Sequence, residues 1–171
     1  MLYQGTGSDH SPHVPMTDQI LSATLAAMGY AGRRHDCQWA TTSIEQAREY
    51  AQHRRGALWT IEALPTASVA WARGVGDMIL DFESWLRQAA YNGDTRIHDR
   101  STLFDVDGDI QIFEHYAVMG VGFVQQATEC YLQDREIQEI LVGPHTQLIA
   151  ELSGHIGEVW ITGPTSKKLL Q

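Results

Sequence analysis

Cysteine is nearly missing from this chain. Its 171 residues hold only Cys37 and Cys130, far apart in sequence. Two such residues cannot form the disulfide framework of a small secreted domain, and the scarcity points to a reducing compartment, with the cytoplasm as the default. Basic residues are few as well: 12 Lys and Arg stand against 21 Asp and Glu, for a formal net charge of -9. This argues against a broad electrostatic grip on a nucleic-acid backbone, which needs clustered cations; Arg33-Arg34 and Arg54-Arg55 are the local exceptions. No stretch approaches the roughly 18 apolar residues of a membrane span, and the N-terminus has no basic region leading into an apolar one. The eight His show no H-x-x-x-H spacing, there is no C-x-x-C, and neither a G-x-S-x-G elbow nor a Walker loop occurs. No metal is expected. Zinc on His35 and Cys37 would need distant partners, and a solvated or packed pair explains them better.

What is present is an ordinary globular composition, 43% hydrophobic and 19% charged, enough for one domain over residues 1–171 with a core that needs no staple. Leu2 and Tyr3 begin a short strand that dissolves into Gly, Ser, His and Pro. A helix follows, capped by Thr17 or Asp18, with Leu21, Leu25 and Met28 on one face and Gly29 as its stop. Ser43 with Gln46 three residues later is a capping box, and Ile44, Ala47 and Ala51 make the stripe of a second helix that ends at Gly56. Trp39 to Thr42 feed it as a strand end. "ALWTIEAL" alternates as a strand up to Pro65. A third helix runs from Asp77 to about Ala90, with Ile79, Phe82, Leu86 and Ala89 inward and Asp81, Ser84 and Arg87 on the opposite side. "FDVDGDIQIF" reads as a hairpin turning at Asp107-Gly108, and "ECYLQ", "EILV", "QLIAEL" and "EVWIT" as short strands. The class is α+β, helices early and strands late.

Two short patterns mislead. "DVDGD" has Gly108 fourth and Tyr116 twelfth, where a calcium loop needs Gly sixth and an acid twelfth. "GVG" at 74–76 lacks the third Gly and the preceding strand of a dinucleotide fingerprint, and reads as a turn.

Three further segments, taken in order, carry a resemblance: "LYQGTGS" at 2–8, "WATTSIEQAREYA" at 39–51 and "QEILVGPHTQL" at 138–148. Together they resemble the ADP-ribosyltransferase superfamily. Members of that family open with a strand of the type Leu-Tyr-(Arg or His)-Gly-Thr. An S-T-S-like strand running into a helix follows, and the motifs end with a catalytic Glu on a strand followed by aliphatic residues, a Pro and a Thr. The resemblance implies a split, mostly antiparallel β-core flanked by helices, with NAD as substrate. It implies that Glu139 binds the ribose 2′-hydroxyl on the nicotinamide side and stabilises the oxocarbenium-like sugar as nicotinamide leaves. Gln4, Gly5, Thr6, Trp39, Thr41, Thr42 and Tyr50 would line the NAD cleft, with Trp39 or Tyr50 stacking on the nicotinamide ring.

Two positions depart from the family. Gln4 stands where Arg or His is usual and brings no charge. Ile137 stands where arginine-specific relatives carry a second Glu, which places the chain nearer the lone-Glu branch that includes the poly-ADP-ribose polymerases and diphtheria-type toxins. Small members of the family occur as bacterial toxins, effectors and phage proteins, so a macromolecular acceptor is implied, a protein before nucleic acid given the acidic charge. Each motif also has a plainer reading: Ser43 as a helix cap, Trp39 and Tyr50 as packing, Gly5-Thr6 as the start of a loop, Glu139 as a solvated strand-end residue. A silent NAD-binding or protein-interaction module of the same fold, and an unrelated α+β binding domain, remain as alternatives.

Overall fold

The structure is a computed structural model that describes residues 1–7, 16–30, 37–96 and 121–170. The expected hairpin at 104–113, Arg33-Arg34, His35 and the loop from Ser8 to Pro15 lie outside the described residues. The architecture is α+β: one antiparallel seven-stranded sheet with, among the described residues, five helices. The strands are β1 (Leu2–Gly5), β2 (Gln38–Thr41), β3 (Leu58–Ala63), β4 (Ser68–Ala72), β5 (Ile137–Leu141), β6 (Glu158–Thr162) and β7 (Thr165–Leu169). The helices are α1 (Met16–Ala27), α2 (Ile44–His53), α3 (Met78–Tyr91), α4 (Val121–Asp134) and α5 (Leu148–Glu151).

Across the sheet the order is β5-β4-β6-β2-β1-β3-β7. The core is therefore one sheet and not two, but its middle is thin. β2 and β1 meet through a single residue pair, Tyr3 opposite Thr41, whereas β2 pairs with β6 over four residues and β1 with β3 over four. One side of the sheet lies under α1, α3 and α4, where Leu21, Leu25, Phe82, Leu86, Tyr131 and Trp160 form the larger cluster. The other side holds Leu2, Ile61, Val69, Trp71, Val159 and Ile161. Neither cysteine is in a disulfide, and Cys37 packs against the cluster that buries Cys130.

Several expectations stand as made. β1, β2, β3 and β6 fall where the sequence put them, as do α1, α2 and α3, and Ser43 caps α2 by accepting from the Gln46 amide at 3.2 Å. Others need correction. "ECYLQ" belongs to α4, where Ala127 and Tyr131, four residues apart, are both buried. "QLIAEL" is not a strand either: it holds the single-turn helix α5, whose Leu148, with Leu152 just past its end, reaches the cluster of Leu2, Val69 and Trp71. Helices are thus not confined to the first half.

Asp81 is not on a solvated face: it accepts from Tyr131 Oη at 2.8 Å and Arg135 Nε at 2.7 Å. Met28 lies beyond the end of α1 and is exposed, and Thr17 and Asp18 fall inside that helix. β4 and β7 are additions. β4, "SVAWA", is buried on both faces and so shows no polar alternation, while β7, "TSKKL", is an exposed edge strand whose lysines discourage further pairing.

Candidate functional site

A polar cluster forms where β2 ends and β6 begins. Thr41 and Glu158 are direct cross-strand partners, and so are Trp39 and Trp160, so these four side chains share one face of the sheet. The turn before β6 makes this approach possible. Gly157 has φ 147°, and a Cβ there would stand 2.5 Å from both Gly76 Cα and Val75 O, so only glycine lets the two segments touch. Thr42 ties the same turn to β2: its hydroxyl accepts from the Gly157 amide at 3.0 Å and donates to the His155 carbonyl at 2.9 Å.

Hydrogen bonds then run through four segments. Thr41 Oγ1 accepts from the Ser43 amide at 3.1 Å and donates to Gln46 Oε1 at 2.6 Å. Gln46 Nε2 donates to Gly76 O at 3.1 Å, and the Glu158 amide donates to the same oxygen at 2.9 Å. The Glu158 carboxylate is buried. Its Oε1 accepts from Trp160 Nε1 at 2.6 Å and its Oε2 from the Met78 amide at 3.0 Å. The capping box is thus half realised: Gln46 does not reach back to the Ser43 amide but orients the Thr41 hydroxyl instead.

His155 closes the arrangement. Its Nε2 lies 3.0 Å from the Glu158 carbonyl, which can only accept, so Nε2 carries the proton and the buried Nδ1 has no partner. Burial pushes the imidazole pKa below its ordinary value, against the opposing pull of that hydrogen bond and the Glu158 charge.

In donor and acceptor terms the cluster has a clear character. The Glu158 carboxylate is an acceptor held by two donors. Thr41 has given its only hydroxyl hydrogen to Gln46, so what its hydroxyl can still offer a ligand is acceptor capacity.

The residues expected from the sequence divide between this place and others. Trp39, Thr41 and Thr42 belong to it. Gly5 and Thr6 lie one strand over, and both are held by the fold. A Cβ on Gly5 would stand 2.2 Å from the Ala47 carbonyl of α2, and Thr6 Oγ1 accepts from Trp59 Nε1 at 3.2 Å. Gln4 alternates with Tyr3 and so points to the opposite face, where its Oε1 accepts from Lys167 Nζ at 2.9 Å. Tyr50 is 53% exposed on α2, whose buried side is Ala47 and Ala51.

Glu139 is not with them. It sits on β5, the edge strand at the far end of the sheet from β7, opposite Ala70, and accepts from Ser68 Oγ at 2.6 Å. Ala70 in turn faces Trp160, so three strand spacings, about 14 Å, separate Glu139 from β2.

The sequence marks Gln46 only as part of a capping box and does not single out Glu158 or His155, yet a signal for Glu158 is present. "EVWITGPT" repeats the pattern of "EILVGPHT", a glutamate opening an apolar strand that Gly-Pro ends before a Thr. Among the described residues no group of three or more His, Cys, Asp or Glu is arranged to hold a metal ion, and no helix is long and apolar enough to cross a membrane. No protein-family model, no curated protein and no solved structure matches the chain.

Proposed function

We propose that the protein transfers the ADP-ribose of NAD to a macromolecular acceptor, with Glu158 in place of Glu139 as the carboxylate that stabilises the ribose cation. The observation that carries this reading is the pairing of Glu158 with Thr41 across β6 and β2. The resemblance to ADP-ribosyltransferases asks for a glutamate on a strand, followed by aliphatic residues, Pro and Thr, beside a strand bearing hydroxyls. Both Glu139 and Glu158 meet the sequence half of that requirement; Glu158 meets the spatial half.

The chemistry follows from the donor and acceptor inventory. As the bond between the ribose C1′ and the nicotinamide nitrogen breaks, its electron pair leaves with nicotinamide and positive charge gathers on the sugar. A fixed carboxylate interacts more strongly with that charge than with the neutral ribose, and only such differential binding accelerates the step. An acceptor nucleophile then adds to C1′ and gives up its proton. Trp39, half-buried in the same row as Trp160, is the aromatic candidate to stack on the nicotinamide ring. Two residues before Glu158 stands Ile156, 74% exposed, so the position that would receive an acceptor guanidinium is apolar, as it is before Glu139. The acceptor is therefore not an arginine approached in the usual way, and the acidic chain favours a protein over duplex nucleic acid.

One observation favours a second reading, a silent NAD-binding or interaction module. Thr41 and Glu158 are both buried, and Gly76 O is bonded to both the Glu158 amide and Gln46 Nε2 beside them. Nicotinamide release from NAD, measured with and without a host-cell lysate for the parent, Glu158→Gln and Glu139→Gln, decides between them. Release lost in Glu158→Gln and kept in Glu139→Gln supports the proposal. Loss in Glu139→Gln alone moves the site to the sheet edge. No release from the folded parent overturns the transferase reading, and calorimetry with NAD then separates a silent cleft from an unrelated fold.

A further inference from the structure

β7 is the last strand of the sheet, paired among the described residues with β3 alone, and it carries the chain's only two lysines, Lys167 and Lys168. Register decides what its outer edge offers. The Leu170 amide donates to Leu58 O and the Leu64 amide to Pro164 O, so in this antiparallel ladder the even-numbered residues of β7 bond to β3. The N–H and C=O groups of Thr165, Lys167 and Leu169 therefore point away from the sheet. Neither lysine meets a carboxylate among the described residues. Lys167 Nζ donates to the neutral Gln4 Oε1 at 2.9 Å, and Glu62, the acid of β3, accepts from Ser166 Oγ at 3.4 Å instead. Arg73, Arg96 and Arg135, by contrast, are each paired with an acid. In a chain of 21 acids against 12 Lys and Arg, two lysines without a carboxylate on one exposed edge are a local reversal of charge. Partial desolvation pushes the Lys167 pKa below its ordinary value, as for an ammonium short of counter-charge. The other edge strand, β5, holds Glu139 and no cation.

We propose that β7 is a docking strand for an extended acidic segment of a partner protein, which adds to the sheet as a further antiparallel strand. Register sets the sequence it takes. Residues directly opposite share a face, so two consecutive acids meet Lys167 on one face and Lys168 on the other. The residue preceding those acids lies against Leu169, 48% exposed, and is apolar. A carboxylate displaces Gln4 from Lys167 because a hydrogen bond between two charged groups is stronger than one to a neutral amide. The same lysines select against other strands: a second β7 paired antiparallel about Lys167 would set Lys167 against its own copy, and an apolar strand would leave both charges unanswered. β7 lies four strand spacings from β6, roughly 19 Å, so this surface holds a partner and takes no part in the chemistry at Glu158. The docking strand stands independently of the transferase reading; joined to it, the docked protein is the acceptor.

The probe is a fluorescein-labelled peptide with blocked ends, Ser-Thr-Val-Glu-Glu-Thr-Thr-Ser, titrated with the full chain and followed by anisotropy beside the same peptide with Lys in place of each Glu. The acidic peptide is expected to bind and its Lys counterpart not to. Lys167→Gln and Lys168→Gln should each weaken binding about two- to fivefold, the range of an exposed ion pair, and Lys167→Glu combined with Lys168→Glu at least about tenfold. Leu169→Pro keeps both lysines and the ladder to β3 but deletes one outward N–H, and should also weaken binding. Amide hydrogen exchange on the parent needs no variant and separates strand addition from charge alone. With the peptide bound, the amides of Thr165, Lys167 and Leu169 gain protection, while those of Ser166 and Lys168, already bonded to β3, change little. Failure of the acidic peptide to bind, equal binding of its Lys counterpart, or no protection at those three amides overturns the proposal. So does oligothymidylate binding as tightly as the peptide, which would make the edge a general anion surface. Sedimentation that shows the parent self-associating, and the double lysine variant not, would overturn it in favour of a second copy of the chain.

Discussion

Thr41 and Glu158 face each other across β2 and β6, while Glu139, in the row of Trp39 and Trp160, stands at the far edge of the sheet. Two glutamates that each precede an apolar run, Gly-Pro and a Thr are thereby assigned different neighbours. Removing the charge alone, with size and hydrogen bonding kept, should lower nicotinamide release by about 10²- to 10³-fold in Glu158→Gln, the scale of losing one preorganised electrostatic group. Glu139→Gln should change it by less than about threefold. Single-turnover rates for both variants, with circular dichroism to show that each is folded, check the pair. Equal losses in both would sink the assignment.

The Leu-Tyr-Gln-Gly-Thr segment has a structural requirement that does not depend on any ligand. Gly5 lies under α2, and a Cβ there would stand 2.2 Å from Ala47 O and 2.8 Å from Ala51 N. Backbone atoms cannot give way as a side-chain tip can. Gly5→Ala should therefore destabilise the fold by about 3 kcal/mol, at the upper end of overpacking effects. Urea denaturation measures this directly, and a midpoint unchanged from the parent would show that α2 does not dock as described.

Much of the site was legible in fragments. Ser43, Gln46 and the small residues Ala47 and Ala51 announce α2 because a cap and a 3.6-residue stripe are local signals, and Trp59, Ile61 and Ala63 announce β3 by alternation. Strand neighbours are not local. "EILVGPHT" and "EVWITGPT" carry the same signature, and only the order β4-β6-β2 puts Glu158 beside Thr41. β4 carries no alternation in the sequence because both of its faces are buried, which leaves Ser-Val-Ala-Trp-Ala without a period. In α4 the aromatic and aliphatic run Cys130-Tyr131-Leu132 suits a strand locally, while the Ala127–Tyr131 and Thr128–Leu132 spacings that bury its face are helical.

A turn on the surface offers a stabilising change. Leu64 to Ala67 close a β-turn in which the Ala67 amide donates to Leu64 O at 3.0 Å, with Pro65 second and Thr66 third. Thr66 has φ 77°, the left-handed value that the third position of a type II turn demands and that a β-branched residue adopts at a cost. Thr66→Gly removes that cost and keeps the Thr66 amide bonded to Val142 O. After the extra chain entropy of glycine is subtracted, a gain of roughly 0.5–1 kcal/mol remains. A higher thermal midpoint is the expected result; a lower one would show that the Thr66 side chain contributes more than its backbone costs.

His155 makes stability depend on pH in a defined direction. The ring is buried, its centroid is 6.3 Å from that of Trp71, and Nδ1 has no partner, so protonation in the folded state buries a charge whose new N–H has no acceptor, a cost that outweighs the pull of Glu158. Its folded pKa is lowered, whereas the unfolded imidazole titrates near 6.5. Above about pH 6.5 neither state binds the proton and the contribution is complete. Below it the unfolded chain binds a proton that the folded one refuses, so stability falls with pH, by at most about 1.4 kcal/mol per unit, until the folded pKa is passed. In His155→Phe the hydrogen bond to the Glu158 carbonyl is lost at every pH, a penalty of about 1 kcal/mol, but this slope disappears. Unfolding free energies at pH 7.5 and pH 5.5 test the difference: the gap between parent and variant should be narrower at the lower pH. A gap of constant width would mean that His155 takes up its proton as readily in the folded protein as in the unfolded chain.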